Sequence, residues 1–181
     1  MKKVVIIFGL LSGAISSIMM FLTLPFETNG TINGHNGYVI GYTAIFLSFL
    51  LVFFGIRSYR ENAGGVITFG RATAVGLLIT LISCAFYIAS WEIIYYKIMP
   101  DFADKYAASA VDEMREKGAT ASAIAAKKIE MEKMKAMLKN PLINIAMTFI
   151  EPFPVGLIVT LVSAALLRKR TPTPAPAMVQ G

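Results

Sequence analysis

A single cysteine, Cys84, and a single histidine, His35, stand in 181 residues. One thiol closes no intramolecular bridge, which excludes a disulfide scaffold. Cys84 lies in an apolar run and His35 in a Gly/Asn segment, and no acidic pair sits in a soluble pocket, so there is no catalytic constellation and the chain reads as a non-enzyme. Charge is scarce as well. Only 15% of the residues are charged and 56% are hydrophobic, whereas a soluble domain carries about 25% charged residues. With a mean hydropathy of +0.64, an average soluble domain is excluded and an integral membrane protein is implied.

About 20 predominantly apolar residues carry a helix across a hydrocarbon core about 30 Å thick. Four stretches are long enough, about 4–26, 38–56, 72–96 and 142–167. Their apolar runs are continuous rather than alternating, which argues for helices over membrane strands. Met1-Lys2-Lys3 resembles the start of a secretory signal, but the run behind it is too long, and Leu22-Thr23-Leu24-Pro25-Phe26 offers no small-x-small cleavage site. The first stretch is therefore read as a permanent span. Residues 171–181, with Pro172, Pro174 and Pro176, read as a Pro-rich disordered tail. Asn29-Gly30-Thr31 matches a glycosylation sequon, relevant only in a eukaryotic secretory pathway.

Orientation follows from the basic residues. Lys2, Lys3, Arg57, Arg60, Arg71, Arg168, Lys169 and Arg170 gather at one end of the spans, while Glu27–Gly37 at the other end holds no Lys or Arg. By the positive-inside rule both termini face the cytoplasm. Arg57, Arg60, Arg71, Arg168, Lys169 and Arg170 then act as anchors at the phosphate-rich interface. The segment from Lys97 to Pro141 mixes nine basic with seven acidic residues. It is weighed as a folded extracytoplasmic unit, not as a topology signal. The expected location is the inner membrane of a bacterial cell.

That segment, 101–140, has helical periodicity. Phe102, Tyr106, Ala110 and Met114 share one face, as do Ile124, Met131, Met134 and Leu138. Gly118 suits the left-handed position that ends a first helix, Ser122 is placed to cap a second, and Asn140-Pro141 restarts the chain as N-cap and first helical residue. The fold class is thus an all-α integral membrane protein, four transmembrane helices with an amphipathic helical hairpin between the third and fourth. The net charge of +2 between Lys97 and Lys139 is too small to argue for nucleic acid. The hairpin's stripes either pack on each other or on the membrane surface, or make the hairpin a partner-binding cap or a lid over an opening between the spans. Met131, Met134 and Met137 recur every third residue, but steps of three precess by about 60° each on a helix, so their sulfurs would spread rather than converge on Cu(I). No metal or cofactor is expected, and the composition says nothing about oligomeric state.

Two carboxylates interrupt the spans, Glu92 and Glu151. A carboxylate there costs on the order of 2.5–3.5 kcal/mol by insertion scales, so each needs an explanation. Counted from the helix ends, the two reach similar depth. Facing each other across the bundle they would share a proton and form a proton or cation site. Otherwise Glu92 reaches the interface beside Tyr95, Tyr96 and Lys97, and Glu151 serves as a polar tether to a neighbouring helix. Pro152 and Pro154 remove two backbone donors and free the carbonyls of Thr148 and Ile150, so a kink is expected beside Glu151. Gly9 and Gly13, continued by Ser17, and Gly37 and Gly41 are small-residue pairs at spacing four, a pattern that permits close helix approach. The loop from Arg57 to Arg71 carries Gly64-Gly65 as a turn but lacks the Gly-Lys-Ser/Thr ending of a phosphate-binding loop.

The run Tyr59-Arg60-Glu61 with Gly64-Gly65, Ile67, Phe69 and Gly76, the Trp91 region, and Glu151-Pro152-Phe153-Pro154-Val155-Gly156-Leu157-Ile158 together resemble a bacterial membrane family catalogued as domain of unknown function 4199. The resemblance extends to about Arg170. It implies a small four-span protein with an amphipathic insert before the last span, places Glu151 and its prolines in the family's pattern, and implies no activity. Two functions follow from the residues. One is an accessory or interaction protein of the lipid bilayer that uses the 101–140 hairpin as its presenting surface. The other is a proton- or cation-coupled transporter or channel subunit with Glu92 and Glu151 in the path.

Overall fold

The computed structural model describes residues 1–28 and 34–169; the sequon, Arg170 and the tail at 171–181 lie outside them. Helices α1 (Lys2–Thr28), α2 (Gly34–Asn62) and α3 (Phe69–Ile93) are followed by a π-turn, Ile94–Ile98, that extends the third span. Then come α4 (Phe102–Glu116), α5 (Ala121–Leu138), α6 (Pro141–Ile150) and α7 (Pro152–Leu167). Four stretches are long and apolar enough to cross a membrane: Lys2–Leu24, Val39–Asn62, Phe69–Ile98 and Pro141–Leu167. The second and third extend past the expected 56 and 96 because Arg57 to Asn62 and Lys97-Ile98 continue the backbone hydrogen-bond ladder after the apolar run has ended.

The bundle is a flattened diamond. α2 and α3 form the short diagonal, and α1 and α7 each pack on both of them with little or no contact between one another. Its centre holds Phe49, Val52, Ile56, Val75 and Ile79, all fully buried. Close approach depends on small residues. A β-carbon at Gly9 would lie 2.9 Å from Ile82 and one at Gly13 2.7 Å from Phe86, so this pair seats α1 on α3. At Gly76 a β-carbon would meet Thr160 at 2.7 Å, and at Gly156 it would collide with Thr80. Gly41 meets nothing within 4 Å. The Gly37/Gly41 pattern therefore has no packing partner at Gly41.

The fourth span breaks where the prolines stand, with Glu151 at the junction of α6 and α7. Asn140 caps α6 by accepting from the Leu142 N–H at 3.0 Å, with Pro141 at the helix start.

The hairpin is two helices joined at Gly118, whose φ of +69° is the left-handed conformation a side chain resists. Two details differ from the sequence expectation. Thr120, not Ser122, caps α5: its backbone is extended and its hydroxyl accepts from the Ala123 N–H at 3.3 Å, while Ser122 lies inside the first turn. The buried face of α4 is Ala103, Ala107 and Val111, one position beyond Phe102, Tyr106, Ala110 and Met114, which are half-buried flanks. The smaller residues face inward because they let α5 come close. Lys135 of α5 reaches Asp104 of α4 at 2.7 Å, and Leu138 and Met134 pack with Tyr95, Ala103, Trp91 and Phe102 at the hairpin's root.

Candidate functional site

Inside the bundle, α3 sends Thr80, Ser83, Tyr87 and Ser90 inward at steps of three, four and three, so they form one stripe along its length. Each meets a polar group on another helix. The Thr80 hydroxyl lies 3.2 Å from that of Thr160 and 3.5 Å from the Gly156 carbonyl. Ser12 donates to the Ser48 carbonyl at 2.9 Å and lies 3.0 Å from the Ser83 hydroxyl. The single Ser12 proton is thus shared between the Ser48 carbonyl and the Ser83 hydroxyl. Tyr87 donates to Glu151 Oε2 at 3.0 Å. Ser90 donates to Ser17 at 2.8 Å. One residue further, Trp91 Nε1 donates to Asn144 Oδ1 at 3.0 Å, and Thr148 donates to the Asn144 carbonyl at 2.9 Å. In lipid a buried polar group without a partner is costly, so this seam holds the helices in register as well as together.

The two carboxylates are not brought together. Tyr87 fixes Glu151 at its own level on α3, and Glu92 lies five residues beyond Tyr87, about 7.5 Å along the helix and about 140° around it. The Trp91–Asn144 bond puts Glu92 level with the middle of α6, not with its end at Glu151. Glu92 Oε1 is buried without a hydrogen-bond partner, as is Asn144 Nδ2. Similar depth was expected by counting from the helix ends. The π-turn and the hairpin add residues between the spans that shift the register.

Among the described residues, a crevice beside Tyr87, lined by Ser16, Ser48, Ser83, Ile45, Phe49 and Pro152, admits no water molecule. Among the described residues no three His, Cys, Asp or Glu side chains are grouped so as to hold a metal ion. Met131 is buried, Met134 half-buried and Met137 exposed, so the methionine sulfurs are spread around α5.

At the basic end, Arg57 bonds to Glu61 at 2.9 Å, Arg60 donates to the Leu167 carbonyl at 3.4 Å, and Arg71, Arg168 and Lys169 are exposed. Outside the spans two charges are displaced. The Lys105 ammonium bonded to Asp101 holds that carboxyl below the usual carboxylate range, and Asp104, with Glu132, pushes Lys135 above the usual lysine range.

Residues 7–169 match the family model described as Protein of unknown function (DUF4199). The chain belongs to the DUF4199 family. No curated protein and no solved structure matches it. The DUF4199 match takes in most of the first span, the other three and the hairpin, so the polar seam, the carboxylates and the broken fourth span lie within the matched extent. The hydroxyl stripe escaped the sequence reading because Ser and Thr scarcely lower hydropathy. Its signal was there in the alternating three- and four-residue steps from Thr80 to Ser90.

Proposed function

We propose that this DUF4199 protein is a non-enzymatic accessory or interaction protein of a bacterial cytoplasmic membrane, with both termini inside and the α4–α5 hairpin presented on the outer side. The observation that carries this reading is the hairpin itself. It has an interhelical ion pair and a small core shared with the end of the third span, and α5 turns an exposed strip centred on Ile129 away from the rest of the molecule. The dry crevice beside Tyr87 supports the same reading, since a transport path through Glu151 needs a wet or openable cavity near the membrane midplane. Coupled transport through Glu92 and Glu151 is the weaker alternative. Its support is the Tyr87–Glu151 hydrogen bond within a span, and against it stand the different levels of the two carboxylates.

The test places a photo-crosslinking side chain at Ile129 and, as control, at the lipid-facing Leu166, in native membranes. A discrete protein adduct at Ile129, missing at Leu166, is expected. Absence of any adduct at Ile129, together with a proton flux in reconstituted vesicles that Glu151→Gln abolishes, would replace this reading with transport. A reporter fused after Gly118 checks the orientation, and a cytoplasmic signal there would reverse it.

A further inference from the structure

The chain segments that end at the basic face of the bundle are tied into a corner. Ile67, between α2 and α3, exchanges two backbone hydrogen bonds with Lys169, each 3.0 Å, just beyond α7. Arg60 donates to the Leu167 carbonyl, where a cation meets the negative end of the α7 dipole. Arg71 stands in the first turn of α3, whose cap is Thr68. Arg60, Arg71, Arg168 and Lys169 are thereby gathered where α2, α3 and α7 all end, at the limits of the apolar spans and hence at the depth of lipid phosphates. Among the described residues none of the four is in an ion pair, and the nearby acid, Glu61, is already bonded to Arg57. Below the corner, Ile158, Val162 and Leu166 form an exposed apolar row on α7 at steps of four.

We propose that this corner binds the phosphodiester headgroup of an anionic phospholipid as a defined site, beyond the general attraction of basic span ends to a negative surface. Guanidinium forks match phosphate oxygens in geometry as well as charge, and Lys169 adds a point charge. The α7 row supplies apolar surface for the acyl chains of the same lipid. Lys2 and Lys3 provide an internal control. They share the basic end, but α1 packs on the side of α2 and α3 away from α7, so they stand outside the corner.

The test titrates the full chain in detergent micelles with phosphatidylglycerol or phosphatidylcholine, reads retained lipid by native mass spectrometry, and adds inorganic phosphate as a competitor. The wild type is expected to retain phosphatidylglycerol preferentially. Arg168→Gln combined with Lys169→Gln should weaken that retention about thirtyfold, the effect of two surface cations, and Lys2→Gln combined with Lys3→Gln should weaken it far less. Equal weakening by both double variants would show a generic basic surface and overturn the site. Equal retention of the two lipids by the wild type would do the same, and displacement by inorganic phosphate at lipid-like concentrations would make free phosphate the ligand. If the corner double variant fails to fold, Arg71→Gln carries the same comparison, with an expected loss of about fivefold.

Discussion

The two halves of the fourth span are one apolar run in the sequence and two different kinds of packing in the molecule. α7 buries Pro152, Gly156, Thr160, Ser163, Ala164 and Leu167 against α2 and α3, and its fit is steric. α6 buries only Asn144 and Thr148, packs on α3 with little contact to α2, and leaves Leu142 77% and Ile150 66% exposed. Lipid tails are as apolar as leucine, so burying an apolar side chain between helices gives no gain over leaving it in the bilayer. A helix in that solvent is held either by close backbone approach or by polar bonds. α7 uses mainly the first and α6 the second, and Glu151 with its prolines marks the change.

The sharpest way to break the comparison is to overfill the steric half. Gly156→Leu would drive a side chain into Thr80 and Phe49, both fully buried on two different helices. Overpacking of this kind costs about 1–3 kcal/mol and sometimes more, so a large drop in thermal or denaturant stability in bicelles is expected. Gly41→Leu, which enters open space, should change stability by less than about 0.5 kcal/mol. Equal losses at the two positions would show that backbone approach is not what holds α7.

Much of this division was legible beforehand and part was not, for physical reasons. Continuous apolar runs mark the spans because lipid demands them, charge density marks the hairpin because lipid excludes it, and Pro152 and Pro154 mark the break because each removes a donor. Register was not legible. Whether Glu92 and Glu151 meet depends on the π-turn at Ile94–Ile98 and on how many residues the hairpin spends before α6 begins, and no local pattern reports either. The inner face of α4 was misplaced by one position because large side chains weigh most in a hydrophobic stripe, whereas close helix contact selects small ones such as Ala103 and Ala107. The Gly37/Gly41 pattern shows the converse, a small-residue spacing whose Gly41 meets no neighbouring helix.

In the polar half the expected effect is smaller. Asn144→Leu removes the acceptor of Trp91 Nε1, but it also removes the unpartnered Nδ2 donor, and the two changes oppose one another. Interhelical hydrogen bonds in membranes average about 0.6 kcal/mol, with a maximum near 1.7 kcal/mol. A double-mutant cycle of Asn144→Leu with Trp91→Phe should return a coupling within that range. A coupling near zero would mean that α6 is tethered by its chain connections to α5 and α7 alone.

The hairpin extends the comparison beyond the lipid, where charges are solvated and each ion pair contributes least. Lys135 bonds to Asp104 across the helices and to Glu132 along α5, and both partners raise its pKa. A raised lysine pKa means that the ammonium is more favoured in the folded hairpin than in the unfolded chain. Its contribution is therefore complete below the unfolded value of about 10.4 and is lost as pH climbs through the folded value above it. At neutral pH, Lys135→Met should increase hydrogen exchange of the α4 and α5 amides by only about two- to threefold, because an exposed pair gives up much of its attraction to water. The Ala103, Ala107 and Val111 face with Met131 and Leu138 should keep the helices paired. Exchange in the variant that reached the level of an unfolded segment would show instead that the hairpin, like α6, is held by its polar contacts rather than by its fit.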